Sequence, residues 1–208
     1  MTYDTNMSVN DLNGLFYNTT DYILQNKTIG NGTFGKVIIA RNINDNQLYA
    51  VKIIKTEKNF NGTELKLFMR ESLIHHSLNH PGIVRFKGIN FISFNDPTKF
   101  SPSIITEYIS NGSLKTVLEN ERKSLSEMEW TWTKKYINLI GIAHAMKYLH
   151  ENGIIHRDLK PENVLTDKNY YPHICDFGFS RCFPEKISNS IKLTMSGEIG
   201  TPIYMAPE

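Results

Sequence analysis

The sequence predicts an α+β chain, in which a β-rich first half carrying one helix is followed by a part built around a long helix. Three patterns carry this. β-branched and apolar runs dominate from Asp21 to about Lys55. Helical spacing then covers Thr63 to Leu78, with Leu67, Phe68, Glu71, Ile74, His75 and Leu78 near one side. A longer helical pattern opens at the capping box Ser126-Glu127-Met128-Glu129 and runs through Tyr136, Leu139, Ile140, Ala143, Met146 and Leu149 to a stop at Gly153. Its apolar side reads as core.

In chain order, residues 1 to about 20 are rich in Asn, Thr and Asp with little periodicity and read as a disordered tail. Ile29-Gly30-Asn31-Gly32-Thr33-Phe34-Gly35-Lys36-Val37 is a glycine-rich loop. The β-branched run that follows it, through Ala40, makes it strand, turn, strand; a dinucleotide-binding loop would open a helix instead. Glycines in such a turn let backbone amides approach phosphate with no Cβ in the way. Leu48–Ile54 reads as an apolar strand with Lys52 inside it. A buried ammonium needs an anion, whereas on an edge strand its head would stay in water. Ile83–Phe86 and Ser103–Glu107 add two strands, joined across the polar stretch Ser93–Lys99. That makes five strands and one helix.

Composition narrows the function classes. The 208 residues are 40% hydrophobic and 21% charged, as in an ordinary folded domain, and a net charge of +2 argues against a nucleic-acid footprint. No apolar stretch is long enough to span a membrane and no secretory leader opens the chain, so a cytoplasmic protein without a membrane segment is expected. Cys175 and Cys182 match no zinc or redox spacing, and reduced thiols are expected.

The run Ile154-Ile155-His156-Arg157-Asp158-Leu159-Lys160-Pro161-Glu162-Asn163-Val164-Leu165, followed by Asp176-Phe177-Gly178, orders two carboxylates and a carboxamide as phosphoryl transfer requires. The transferring group carries its charge on oxygens, so a protein must supply cations and a base for the incoming hydroxyl rather than covalent chemistry. With the glycine-rich loop, these motifs resemble those of the eukaryotic protein kinases over about residues 21–208.

The resemblance implies a bilobal protein-kinase-like fold. A small lobe, 21–109, would hold five strands and one helix, and a partial, mainly helical large lobe, 110–208, would close on Ala206-Pro207-Glu208. It implies Asp158 as acceptor of the substrate hydroxyl proton, Lys160 as the cation against the transferring phosphate, and Asn163 and Asp176 as magnesium ligands. Lys52 would pair with nucleotide phosphates and with Glu71. Ile29 through Val37 would cradle ATP, with Val37, Ala50 and Leu165 around the base, and Glu107 and Ile109 in the hinge after Thr106. Lys52, Asp158, Asn163 and Asp176 are thus expected around one Mg-ATP in a cleft between two lobes.

Lys160 in Asp-Leu-Lys-Pro-Glu-Asn is similar to serine/threonine kinases, so a Ser/Thr hydroxyl on a protein substrate is the expected acceptor. Thr106 and Ile140–Ala143 look similar to the tyrosine-kinase-like group. Arg157 resembles the arginine that holds a phosphorylated activation loop, with Thr194 or Ser196 as acceptor and Glu198 as a partial mimic; Thr201 is expected to hydrogen-bond Asp158 and Lys160. Two departures stand out. His75 replaces the usual apolar residue facing the phenylalanine of Asp-Phe-Gly, and the resemblance stops at Glu208, short of the remaining large-lobe helices. The alternative is therefore a catalytically silent nucleotide-binding or interaction module. Oligomeric state is not legible.

Overall fold

The computed structural model describes residues 14–32, 35–56, 62–125, 129–182 and 200–204. Thr33, Phe34, Ser126–Met128, Thr194, Ser196, Glu198 and Met205–Glu208 lie outside the described residues. The chain divides into two compact units: residues up to Ser72 with Arg85–Tyr108, and Leu73–Val84 with Ile109 onward.

The first unit is built on one antiparallel sheet. Its strands are β1 (Tyr22–Gly32), β2 (Gly35–Asn42), β3 (Leu48–Ile54), β4 (Phe86–Ile92) and β5 (Phe100–Glu107), in the order β1-β2-β3-β5-β4. The expected strand at Ile83–Phe86 is displaced: β4 begins at Phe86, and Ile83 instead bridges Ile174 in the second unit. Helix α1 (Gly62–Ser77) follows β3. Phe68 is buried and its ring lies 5.5 Å from that of Phe91, while Leu67, grouped with it by helical spacing, is exposed.

Part of the predicted tail belongs to this core. Leu15 is fully buried and Tyr17 nearly so, with exposed Phe16 between them. Tyr17 N donates to Ile89 O at 3.1 Å and Ile89 N to Leu15 O at 2.7 Å, so the segment pairs along β4. The Tyr17 hydroxyl meets Ser103 Oγ at 2.7 Å, and its ring joins Ala40, Tyr49, Val51 and Ile105. An alternation of three residues is too short to read as a strand. Leu15→Ala is expected to cost about 3 kcal/mol, measured as a lower denaturant midpoint; an unchanged midpoint would show that the segment contributes no stability.

The second unit contains α2 (Leu114–Arg122), α3 (Trp132–Glu151) and short strands β6 (Ile154–Ile155), β7 (Val164–Thr166), β8 (Pro172–Ile174) and β9 (Arg181–Cys182), paired β6-β9 and β7-β8. Ser113 caps α2 by accepting from Thr116 N. The long helix starts at Trp132 rather than at the Ser126 box, because Thr131 is its N-cap and accepts from Lys134 N. It ends before Gly153, whose φ of +68° is a left-handed turn that glycine adopts without strain.

The expected single core stripe of α3 is split. Ala145 and Leu149 are buried with Ile74, Leu78, Ile83, Ile154, Ile174 and Phe177, but Trp132, Tyr136, Leu139 and Ile140 are exposed. The helix is apolar on two sides, and among the described residues only one is covered.

Candidate active site

In the first unit, strand register sorts the side chains by face. Val37 pairs with Lys52, Ile39 with Ala50, and Ala50 with Thr106. Directly paired residues share a face and successive residues alternate, so Val37, Ala50, Lys52 and Thr106 lie on one side of the sheet. Lys36 pairs with Ile53 and faces the other way. Its side chain is thus separated from the nucleotide-binding group in which the sequence placed it.

Lys52 Nζ donates to Glu71 Oε1 at 2.7 Å, the two side chains being 23% and 13% exposed. The ammonium inside the apolar strand has found its anion on α1. At the glycine-rich turn, Ile29, Gly30, Asn31 and Gly32 end β1, and Gly35, Lys36 and Val37 begin β2. A Cβ at Gly35 would collide with the Ile53 carbonyl oxygen, so close approach of β3 demands glycine there, whereas Gly30 has ordinary room beside Val37. Glu107 exchanges contacts with Arg85: its backbone N donates to Arg85 O at 3.0 Å and its carboxylate accepts from Arg85 N at 2.7 Å.

The second unit assembles the acidic residues. The Asp158 carboxylate accepts from Thr201 Oγ1 at 2.7 Å on one oxygen, and from Lys160 Nζ at 2.8 Å and Asn163 Nδ2 at 2.9 Å on the other. Lys160 also donates to Thr201 Oγ1 at 2.8 Å, closing the triangle expected from the sequence. Asn163 Nδ2 reaches Asp158 O as well, at 2.8 Å. Burial opposes ionisation of Asp158, but hydrogen bonds from Lys160 and Thr201, with the Lys160 charge, outweigh it and hold the pKa below the usual carboxylate value.

Backbone strain brackets this loop. Arg157 and Asp176 take φ of +65° and +64°, left-handed values costing a non-glycine residue roughly 1–2 kcal/mol. Arg157 Nε donates to Phe179 O at 2.6 Å, and Cys175 N to Asn163 O at 2.9 Å. His156 is fully buried, with Nε2 donating to Cys175 O at 3.0 Å and Nδ1 accepting from Asp158 N at 3.3 Å; burial lowers its pKa, so the ring is neutral. Leu165 lies in β7, and Ile109 is buried within this unit. His75 is buried too, donating from Nε2 to Val84 O at 2.6 Å, its ring 4.8 Å from that of Phe177. One link had no sequence signal: Lys115 on α2 pairs with Glu162 at 3.0 Å across a long separation in the chain.

Because the folded pKa of Asp158 is depressed, its contribution to stability is present above the unfolded value of about 3.9 and is lost as pH falls through the folded pKa. Thr201→Val deletes one donor and is expected to raise that pKa by about one pH unit, the worth of a charge-assisted hydrogen bond. The carboxyl 13C titration of Asp158 would show the rise; the same midpoint in both proteins would contradict it.

The protein kinase domain family profile matches residues 23–208. MAP kinase kinase kinase mkh1 of Schizosaccharomyces pombe is 32% identical over 92% of the chain, which spans 16% of that relative. Probable serine/threonine-protein kinase MARK-C of Dictyostelium discoideum is 37% identical over 88% of the chain and 22% of the relative. Serine/threonine-protein kinase CTR1 of Arabidopsis thaliana is 38% identical over 86% and 20%. The chain therefore spans less than a quarter of the length of each of these three.

Proposed function

The chain belongs to the protein kinase family, and from that premise we propose that it transfers the γ-phosphoryl group of ATP, with magnesium, to Ser or Thr hydroxyls of protein substrates. The observation that carries this is the Asp158 carboxylate, held ionised by Lys160, Asn163 and Thr201 together. In this reading an incoming hydroxyl gives its proton to Asp158, while Lys160 faces the phosphoryl oxygens. Lys52, fixed by Glu71, meets the nucleotide phosphates, and backbone amides of the Ile29–Val37 turn approach them. Val37, Ala50 and Leu165 contact the base, and the backbone of Glu107 and Ile109 hydrogen-bonds its edge.

The residues fit magnesium. Asn163 directs its amide hydrogens to Asp158, which leaves Oδ1 as an oxygen donor, and Asp176 brings a carboxylate. Magnesium sites of this kind use one or two carboxylates beside substrate phosphates. No cluster of three or more His, Cys, Asp or Glu is therefore needed, and none occurs among the described residues. Bound magnesium would neutralise charge on the outer phosphates. Lys160 beside Asp158, and similarity to relatives named serine/threonine-protein kinases, support Ser/Thr as acceptor.

The test is magnesium-dependent transfer of labelled γ-phosphate to a generic protein, followed by phosphoamino-acid analysis, in wild type and Asp158→Ala. Label on Ser and Thr that vanishes in the variant is expected. Equal labelling by both proteins would sink the reading, and nucleotide-induced thermal stabilisation with no transfer would favour the silent nucleotide-binding module.

A further inference from the structure

The face of the first unit's sheet opposite Lys52 carries a concavity of about 320 Å3, within the size range of ligand pockets. Its floor is apolar, made by Leu24, Ile38, Ile53 and Phe94. Leu24, Ile53 and Phe94 are the half-buried rim of the cluster around Tyr17 and Val51, so the floor is supported from below.

A bulge opens it. Leu24 pairs with Ala40 and Thr28 with Ile38, so Gln25, Asn26 and Lys27 stand against Ile39 alone. Bulges of this sort redirect side chains and interrupt the ladder. Gln25, Asn26, Lys36 and Ser101 line the walls, and their side chains have no hydrogen-bond or ion-pair partner among the described residues. Ser93 and Asn95 complete the rim from the β4–β5 connection. Among the described residues, no acidic one lines the pocket. The carboxylate of neighbouring Asp96 is engaged by Thr98 and Lys99.

We propose that this pocket binds an extended acidic peptide segment. An apolar side chain rests on the Leu24–Ile38–Ile53–Phe94 floor, and an Asp or Glu two positions along meets Lys36. That spacing puts both side chains on one side of an extended chain. Primary amides of Gln25, Asn26 and Asn95 each offer a donor and an acceptor, the complement of a peptide backbone, which a small inorganic anion would leave half used. The inference is independent of the nucleotide reading.

Anisotropy of two labelled, end-capped hexapeptides, Thr-Leu-Thr-Glu-Thr-Thr and its Gln counterpart, tests it on the full chain. The Glu peptide is expected to bind roughly fivefold tighter, the scale of one partly exposed charge pair. Lys36→Glu should abolish that preference. Asn26→Trp, at an exposed bulge position, should fill the pocket and weaken both peptides. Thermal midpoints near wild type establish that each variant folds, and if one fails the other still decides. Equal affinity for the two peptides, no binding of either, a preference surviving Lys36→Glu, or displacement by ATP would each overturn the proposal.

Discussion

Asp158→Asn is expected to lower phosphoryl transfer by about 10²- to 10⁴-fold, the range of a lost general base, while nucleotide-induced thermal stabilisation persists. The carboxylate accepts from three donors, on two oxygens. An asparagine can offer its one oxygen to Thr201 or to Lys160 and Asn163, but not to all three; its amide then points donors at donors. Asp158 is nearly inaccessible, so the mismatch also costs stability, about 1–3 kcal/mol for an unsatisfied buried group. Two measurements separate these effects: transfer rate at saturating nucleotide, and the thermal midpoint without nucleotide. Wild-type transfer with a lowered midpoint would make Asp158 a purely structural residue.

Legibility from sequence followed the range of the signal. The two strands on either side of the glycine-rich segment, the lysine inside β3 and the helix carrying Glu71 are local patterns, and the structure builds all of them. The Asp158–Lys160–Thr201 triangle was also anticipated, but only through family resemblance, because Thr201 is distant in the chain. What escaped was set by tertiary context. Leu15 and Tyr17 are core only because β4 offers an edge to pair with. Lys36 was grouped with its loop neighbours although strand alternation turns it away from Lys52, and the bulge that builds the pocket beneath it leaves no compositional mark. The Ser126 box is a good local start signal, yet Thr131 offers the same chemistry closer to the helix.

Lys52→Met is expected to lower transfer on the order of 10- to 100-fold, the worth of one charge-assisted contact. Glu71→Gln should do less, since Gln can still accept from Lys52 without its charge. The pair is joined at 2.7 Å and mostly shielded from water, so each side chain limits the positions open to the other. If Glu71 acts by orienting Lys52, the double variant should be no worse than Lys52→Met alone, since nothing remains to be oriented. If instead Glu71 contributes through α1 packing, where Phe68 and Ser72 are buried beside it, the two losses should add. Transfer rates of the four proteins, with unfolding midpoints as a control for α1, decide between these outcomes. Strict additivity would remove Glu71 from the chemistry and leave Lys52 to act on the phosphates unaided.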